Sequence, residues 1–256
     1  MQTKLPLWMF AAAVVMGVAI GGPHLGRPAQ ADSNSPVLVE LFTSEGCSSC
    51  PPADALLEKL DAANTPANPQ VIVLSEHVDY FNSTGWKDPY SSPAFTERQS
   101  SYVKQFHLND VYTPEMVVDG ASEFVGSDSH AARAKIAAAA AAHKSAIPIL
   151  LNAVSPGVVR VEIPATANAI GKGSADVVVA IASSEASTQV LGGENGGRKL
   201  HHVAVVRSMT SVGKIRDGQA FSKEIRLGHN AAGLRVIAWV QQPGQGPVLG
   251  SAMRAW

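Results

Sequence analysis

Two cysteines, Cys47 and Cys50, are the residues whose type and spacing most directly suggest chemistry. They are the only cysteines in 256 residues, which excludes a framework of several disulfides and a zinc site built from cysteines alone. Two thiols three positions apart can close a disulfide, or one can resolve a mixed disulfide that the other has formed. The sequence therefore indicates thiol–disulfide chemistry confined to one short segment.

The cysteines directly precede a predicted helix. Pro51 and Pro52 suit a first helical turn, where a missing N–H costs little, and apolar residues recur behind them at helical spacing. The unpaired amides and the dipole at a helix N-terminus favour a thiolate. We therefore predict that Cys47, as the outer and more exposed thiol, is the nucleophile and that Cys50 is the resolving thiol.

The alternative is a structural disulfide that is never reduced, because exported chains commonly oxidise their cysteines. The loop between the cysteines contains only Ser48 and Ser49. Cross-linking so short a loop removes little entropy from the unfolded chain. The spacing therefore favours a redox-active pair over a stabilising one.

The first 31 residues predict an export signal. Lys4 precedes a charge-free apolar stretch at residues 5–20, and the Ala-Gln-Ala sequence at residues 29–31 provides a small-residue cleavage site. An uncleaved anchor helix is the alternative, but an apolar stretch interrupted by Pro6 and Gly17 is short for a bilayer span. We expect cleavage after residue 31 and a periplasmic or secreted protein with no membrane contact afterwards.

The charge balance argues against two kinds of partner, nucleic acid and anionic lipid. Twenty Lys and Arg residues stand against 21 Asp and Glu residues, for a net charge of −1. The chain therefore has neither a cationic field that would gather nucleic acid nor a polybasic run that would bind anionic lipid. The predicted partners are protein thiols and disulfides in the cell envelope, and no cofactor or metal is expected.

The segments around the cysteines predict alternating strands and helices. Apolar β-branched runs indicate buried strands, Ser92-Pro93 indicates a capped helix start, and Asp119-Gly120 indicates a tight turn. In chain order, the expected elements are a strand at 36–42, the helix after Cys50, a strand at 70–75, a helix at 94–106, a strand after Thr113-Pro114, a partner strand at 123–125 and an Ala-rich helix ending near 144. The predicted order is β-α-β-α-β-β-α.

This order, with Cys-x-x-Cys opening the first helix and Thr113-Pro114 before the third strand, resembles the thioredoxin fold over residues 36–145. The resemblance implies that the proline bond is cis, that Cys47 attacks, that Cys50 resolves, and that Thr113 and Pro114 form a substrate-side loop. Over nearly its whole length the chain is similar to a family of secreted bacterial thioredoxin-like proteins of uncharacterised function. That resemblance implies a fold but neither a substrate nor a redox direction.

One position departs from the thioredoxin pattern. Thioredoxins often carry a buried acid six residues before the first cysteine, where it accepts a proton from the resolving thiol, but this position is Leu41 here. Glu40 is adjacent, although neighbouring strand residues point to opposite faces. Glu40 is therefore either a proton-transfer residue brought in by a one-residue shift or a strand carboxylate with another partner.

The second half of the chain predicts an all-β domain. Seven strand-like runs follow residue 147, and turn signals such as Ser-Pro-Gly at 155–157 separate them. This pattern favours a β-sandwich over an open barrel. The sequence thus predicts an α/β thioredoxin-like domain at 36–145 followed by an all-β, sandwich-like C-terminal domain at 147–256.

Three further features are candidates for the site. The segment from His77 to residue 89 is rich in aromatics, so Trp86 either fills a core or, with His77, walls a groove over Cys47. The Gly-rich stretch at 192–198 fits a flexible hairpin loop better than a phosphate loop, although its Glu and Arg could face the cysteines. The adjacent pair His201-His202 should point one ring to each face of a strand, which argues against both binding one metal.

Three functional hypotheses remain. The favoured one is an exported thiol–disulfide oxidoreductase, an enzyme acting through Cys47 and Cys50. The second is a binding module in which the two cysteines and a distant histidine such as His77 hold copper. The third is a thioredoxin-like interaction protein with an idle disulfide.

Overall fold

The computed structural model describes residue 1 and residues 36–64, 71–142, 147–228 and 231–256. The predicted export signal lies outside these described residues, apart from Met1. In the described part, three helices form at Pro51–Ala62 (α1), Pro93–Gln105 (α2) and Ser129–Ala141 (α3). The strands are Val37–Thr43 (β1), Val71–His77 (β2), Glu115–Val118 (β3), Ser122–Val125 (β4), Leu150–Ser155 (β5), Val158–Ile163 (β6), Ala175–Gln189 (β7), Lys199–Ile215 (β8), Phe221–Arg226 (β9), Leu234–Gln241 (β10) and Val248–Ala255 (β11).

Local sequence signals explain the starts of the helices. Prolines occupy the first turns of α1 and α2, where no N–H is needed. The Ser92 side chain accepts from the amide of Ala94 at the start of α2, and Asp128 accepts from two amides at the start of α3. The predicted order β-α-β-α-β-β-α is present up to α3.

Strands from both halves of the chain share one eight-stranded sheet in the order β11-β10-β7-β8-β2-β1-β3-β4. The two halves meet where β8 pairs with β2 in parallel at Ser75 and Val205. A separate three-stranded sheet has the order β5-β6-β9. The protein is therefore mixed α/β with a large body made mostly of sheet.

The sheet continuity changes the expected picture of a separate β-sandwich. The small sheet does pack against the large one, since Val159 and Val161 of β6 lie in one core with Val179 of β7 and Val236 of β10. However, the second layer of that sandwich belongs to the same sheet as β1 and β2. The reason is that β8 pairs along the edge of β2, so strands of the two predicted domains become neighbours in one sheet. From Pro36 onward, the described residues belong to one compact unit.

The two faces of β1 carry different neighbours, and this decides which residues can reach the cysteines. Val39 and Leu41 pack with Ala53 and Leu57 of α1. Phe42 instead packs against Tyr102 of α2, with ring centroids 5.9 Å apart. Odd-numbered side chains of β1 therefore face the helix that carries the cysteines, and even-numbered ones face α2. Among the described residues, no helix combines the length and apolar character that a membrane crossing requires.

Candidate functional site

Cys47 and Cys50 are joined by a disulfide at the N-terminus of α1. Their Cα atoms are 5.4 Å apart, and Cys50 is the residue that caps the helix. Cys47 was expected to be the more exposed of the two thiols, and 2% of its surface is accessible whereas Cys50 is completely buried. The neighbouring Ser48 and Ser49 are exposed. Cys47 is nevertheless nearly buried, because other segments cover it.

The first covering segment is the loop that contains Thr113 and Pro114. The Thr113–Pro114 bond is cis, as predicted. The Thr113 hydroxyl donates to Cys47 Sγ at 3.4 Å, and the Ser49 hydroxyl lies 3.4 Å from the same sulfur. Ser49 also donates to the Thr113 carbonyl at 3.5 Å. The structure thus brings together Cys47, Cys50 and the Thr113-Pro114 loop, which the sequence placed more than sixty residues apart.

The second covering segment is the β7–β8 connection, residues 190–198, which we call the Asn195 loop. The Asn195 side chain is completely buried and donates to the backbone carbonyls of Glu45 and Cys47, both at 2.9 Å. Arg198 donates to the Asn195 side-chain oxygen at 3.0 Å and so fixes the orientation of the amide. The loop is the predicted hairpin connection between the antiparallel strands β7 and β8, and it is anchored on the cysteine segment.

Glu194 of the same loop also contacts the cysteine segment. Its carboxylate accepts the backbone N–H of Ser48 at 3.0 Å. Hydrogen bonds from Ser48 hold the pKa of Glu194 below its ordinary value. Amides at a helix N-terminus commonly bind a substrate or a thiolate. The Ser48 amide, which lies between the two cysteines, is instead paired with Glu194 of the Asn195 loop.

Trp86 lies on another side of the cysteine segment. It is half-buried, and its indole N–H donates to the Glu45 carboxylate at 2.8 Å. The Glu45 amide in turn donates to Asp88 at 2.8 Å. Trp86 is therefore neither a fully buried core residue nor an unpaired wall of a groove over Cys47. Its indole N–H fixes the position of the Glu45 carboxylate, two residues before Cys47.

Beneath these contacts lies a buried ionisable group that we call the His202 cluster. Its members are Glu45, Asp54, His77, Asp88 and His202. His202 Nε2 lies 3.4 Å from Glu45 Oε1, and its Nδ1 lies 3.7 Å from Asp54 Oδ1. The rings of His77 and His202 meet edge to face at 4.7 Å, and His77 Nδ1 is 2.7 Å from Asp88.

The cluster shifts the protonation of two members. Burial disfavours a charged His202, but the carboxylates of Asp54 and Glu45 outweigh it and raise the pKa of His202 to about 9. Burial would raise the pKa of Asp88, but its hydrogen bond and charge interaction with His77 hold that pKa below its ordinary value. His202 is therefore a buried imidazolium at neutral pH.

The strand alternation predicted for the histidine pair is present. His202 is 2% exposed, whereas the His201 side chain is exposed and lies 3.7 Å from Glu58. His202, the buried member of the pair, is the one that contacts the cysteine segment. Sequence reasoning did not single out Glu45, Asp54, Asp88 or Asn195, although Glu45 and Asp54 flank the cysteines in the chain.

Glu40 does not approach the cysteines. It faces α2, where Arg98 donates to it at 2.5 Å and the Tyr102 hydroxyl donates at 2.6 Å. Leu41 occupies the face toward α1, packing with Ala53. The one-residue shift that would make Glu40 a proton-transfer residue is therefore absent, because β1 keeps a regular register with β2 from Val37 to Thr43.

The profile of the protein family of unknown function DUF1223 matches residues 38–241. The chain belongs to this family. The DUF1223 match contains both cysteines, the Thr113-Pro114 loop, the Asn195 loop and the whole His202 cluster. No curated protein matches the chain.

Two solved structures resemble this DUF1223 protein. The crystal structure of protein AGR_C_4864 from Agrobacterium tumefaciens is 28% identical, covers 88% of this chain and 96% of its own, and has a TM-score of 0.71. HBP35 of Porphyromonas gingivalis is 18% identical, covers 88% of this chain and 76% of its own, and has a TM-score of 0.60. The second likeness concerns the fold alone.

Proposed function

We propose that this protein is an exported thiol–disulfide oxidoreductase that acts through Cys47 and Cys50 on protein thiols and disulfides. One observation carries the proposal: the disulfide caps α1, and the Thr113 hydroxyl of a second loop contacts Cys47 Sγ at 3.4 Å. A purely stabilising cross-link of two intervening residues has little effect on the unfolded chain. Placement at a helix N-terminus, in contrast, favours the thiolate that exchange requires.

The proposal includes a thioredoxin-like arrangement for residues 36–145. The element order, the cysteine pair at the start of α1 and the cis bond before β3 support it. In that arrangement the Thr113-Pro114 loop is the surface along which a partner polypeptide lies. Export from the cytoplasm rests on the signal-like residues 1–31 and accords with a disulfide-forming compartment.

The proposed reaction consists of two successive thiol–disulfide exchanges. A partner thiolate attacks Cys47 Sγ, the Cys47–Cys50 bond breaks, and its electron pair leaves on Cys50, which takes up a proton. A second partner thiolate then attacks the partner sulfur of the mixed disulfide and releases the Cys47 thiolate. The partner loses two electrons and gains a disulfide, and the cysteine pair gains those two electrons. The reverse sequence reduces a partner disulfide.

The helix start contributes to this exchange by stabilising one leaving group. Cys47 leaves as a thiolate next to the first turn of α1, where the amide dipoles point toward it. Cys50 has no accessible surface and can meet only a sulfur already bound to Cys47. This difference supports Cys47 as the attacking and attacked atom and Cys50 as the resolving thiol.

The structure offers no support for the copper alternative. Within the described ranges, no group of three or more His, Cys, Asp or Glu side chains is arranged to hold a metal ion. His77, the proposed third ligand, is 2.7 Å from Asp88 through Nδ1, and no contact between its ring and either cysteine is present in the described residues.

The deciding experiment is the equilibrium of the Cys47–Cys50 pair with glutathione or dithiothreitol, read by thiol alkylation and mass spectrometry. A potential between about −120 and −270 mV matches catalytic dithiols. A potential well below about −300 mV matches an idle disulfide and overturns the proposal. Cys47→Ser supplies the control that cannot form the pair. The mass of the exported protein tests cleavage after residue 31.

A further inference from the structure

We propose that His202 is a positioning residue for the cysteine pair, whose positive charge stabilises the thiolate formed at Cys47 on reduction. The inference rests on the proposed function, since it assigns a role within the same exchange. His202 lies on β8, in the half of the chain that was predicted to form a separate domain. No motif connects it to Cys-x-x-Cys.

The first support is the position of the two carboxylates that His202 contacts. Glu45 lies two residues before Cys47, and Asp54 lies four residues after Cys50 and donates its amide to the Cys50 carbonyl at 3.1 Å. His202 is 3.4 Å from the first carboxylate and 3.7 Å from the second. The imidazole therefore spans the segments that enter and leave the cysteine loop.

The second support is that His202 meets the two carboxylates as ion pairs, at 3.4 Å from Glu45 and 3.7 Å from Asp54. Within the described part of the chain, Glu45 Oε1 and both ring nitrogens of His202 are buried without a hydrogen-bond partner. A buried charge that is incompletely paired keeps a strong field in its low-dielectric surroundings. Because Glu45 lies two residues before Cys47 in the same turn, the proposal places the Cys47 sulfur within that field.

The third support is the charge of the groups around the imidazole. Glu45 from the turn, Asp54 from α1 and Asp88 from the loop after β2 are acidic, and His77 of β2 and Tyr90 pack against the ring. Burial alone would lower the pKa of His202, but its interactions with Asp54 and Glu45 raise that pKa to about 9. Without the imidazolium, the same carboxylates would repel a thiolate.

A cleft of about 200 Å³ lies beside His202, between the start of α1 and the start of β8. Its lining includes Pro51, Asp54, Lys199 and His202. The two ring nitrogens of His202 are themselves buried, so its charge is held inside the fold.

The test measures the thiolate directly, through its ultraviolet absorbance in the reduced protein as a function of pH. His202→Gln removes the charge and is expected to lower the thiolate population about tenfold at a pH below the thiol pKa. His202→Lys disturbs the packing at the same place but restores a cation, so the population should return toward that of the wild type. His201→Gln, on the opposite face of β8, is the matched control and should change nothing.

A second measurement needs no substitution and covers the case in which a variant does not fold. Coupling between two sites is reciprocal, so a Cys47 thiolate must raise the pKa of His202 if His202 stabilises that thiolate. In a histidine NMR titration, the His202 ring should titrate at higher pH in the reduced protein than in the oxidised one. The His201 ring should titrate alike in both.

The outcomes separate the two proposals. Equal thiolate populations in the wild type and His202→Gln, equal losses in His202→Gln and His202→Lys, or an unchanged His202 titration each overturn the charge role. These results leave the oxidoreductase proposal standing if the cysteine pair still equilibrates with glutathione. A pair that glutathione and dithiothreitol cannot reduce overturns both.

Discussion

Asn195 donates a hydrogen bond to the backbone carbonyl of Cys47 at 2.9 Å, although 148 residues separate the two in the chain. The same amide group donates to the carbonyl of Glu45 at 2.9 Å. Buried carbonyls need such partners, because an unpaired one carries the full cost of leaving water. The turn that presents the cysteines is therefore held in shape by the connection between β7 and β8.

Asn195→Ala should loosen this turn. The substitution leaves the Glu45 carbonyl without its donor and leaves the Cys47 carbonyl with only the Cys50 amide, so we expect the free energy of unfolding to fall by about 1–3 kcal/mol. Dithiothreitol should also reduce the disulfide faster, because Cys47 loses part of its cover. Urea denaturation and timed alkylation measure the two effects.

The exposed Asn152 provides the control for this substitution. Its amide donates to Glu162 on the surface, far from the cysteines in the chain. Asn152→Ala should leave the reduction rate unchanged. An equal rate in the wild type and Asn195→Ala would mean that the Asn195 loop does not limit access to Cys47.

Substitution of each cysteine tests their roles. Cys50→Ser should accumulate mixed disulfides with partner proteins, because nothing remains to resolve them, whereas Cys47→Ser should accumulate few. Non-reducing gels of cell extracts after acid quenching and alkylation show the difference. Similar amounts from both variants would contradict the assignment of Cys47 as the attacked atom.

Trp86→Phe keeps an aromatic ring but removes the N–H that Glu45 accepts at 2.8 Å. The carboxylate then loses a donor in a buried position, and we expect a loss of stability of about 1–3 kcal/mol. Equilibrium unfolding in urea provides the value. The comparison variant is Trp256→Phe. The ring of Trp256 packs against the Arg254 guanidinium. Equal losses in the two variants would show that ring size matters and the Glu45 contact does not.

Glu115→Gln should remove a pH dependence of stability. Glu115 is buried next to Pro114, and burial is the main cause that raises its pKa from 4.5 to about 7. The folded state then holds a proton that the unfolded state releases, so the wild type loses stability as the pH rises from 4.5 to about 7.

The variant stays neutral and can still accept from Gln99, which donates to Glu115 at 2.7 Å. Relative to the variant, the wild type should therefore lose about 3 kcal/mol over this interval. Urea denaturation at a series of pH values measures it, with the exposed Glu97→Gln as control. A difference that does not change with pH would show that Glu115 is ionised in the fold.

Local signals were sufficient to predict the helix starts, whereas the cis bond was expected from the thioredoxin resemblance. Pro51, Pro93 and Asp128 act within one turn of their own positions, and this is the range over which a single sequence is informative. In the second half, the apolar runs at 176–182 and 201–206 mark only parts of β7 and β8, which are longer. Residues 183–189 of β7 are largely polar and part-exposed, yet they pair with β8 through Gln189 and Lys199. Paired backbone can maintain a strand where no apolar face marks it.

The rest of the site depends on contacts between distant segments. Nothing near His202 or Asn195 in the sequence indicates that either meets the cysteine turn, because the meeting depends on β8 pairing in parallel with β2. Glu40 is the opposite case, because it is near the cysteines in the chain but not in the fold. A regular strand register keeps it on the α2 side, with Arg98 and Tyr102 as partners.

The eight-stranded sheet has a consequence for attempts to isolate or graft the cysteine pair. A fragment ending near residue 145 would retain Cys47, Cys50 and Pro114 but would lack β8, leaving the edge of β2 bare. It would also lack the amide of Asn195 and the imidazole of His202. A chimera carrying only this segment would contain the Cys-x-x-Cys motif without the side chains that surround its sulfurs in the full chain, so its thiol chemistry would not represent that of the full chain.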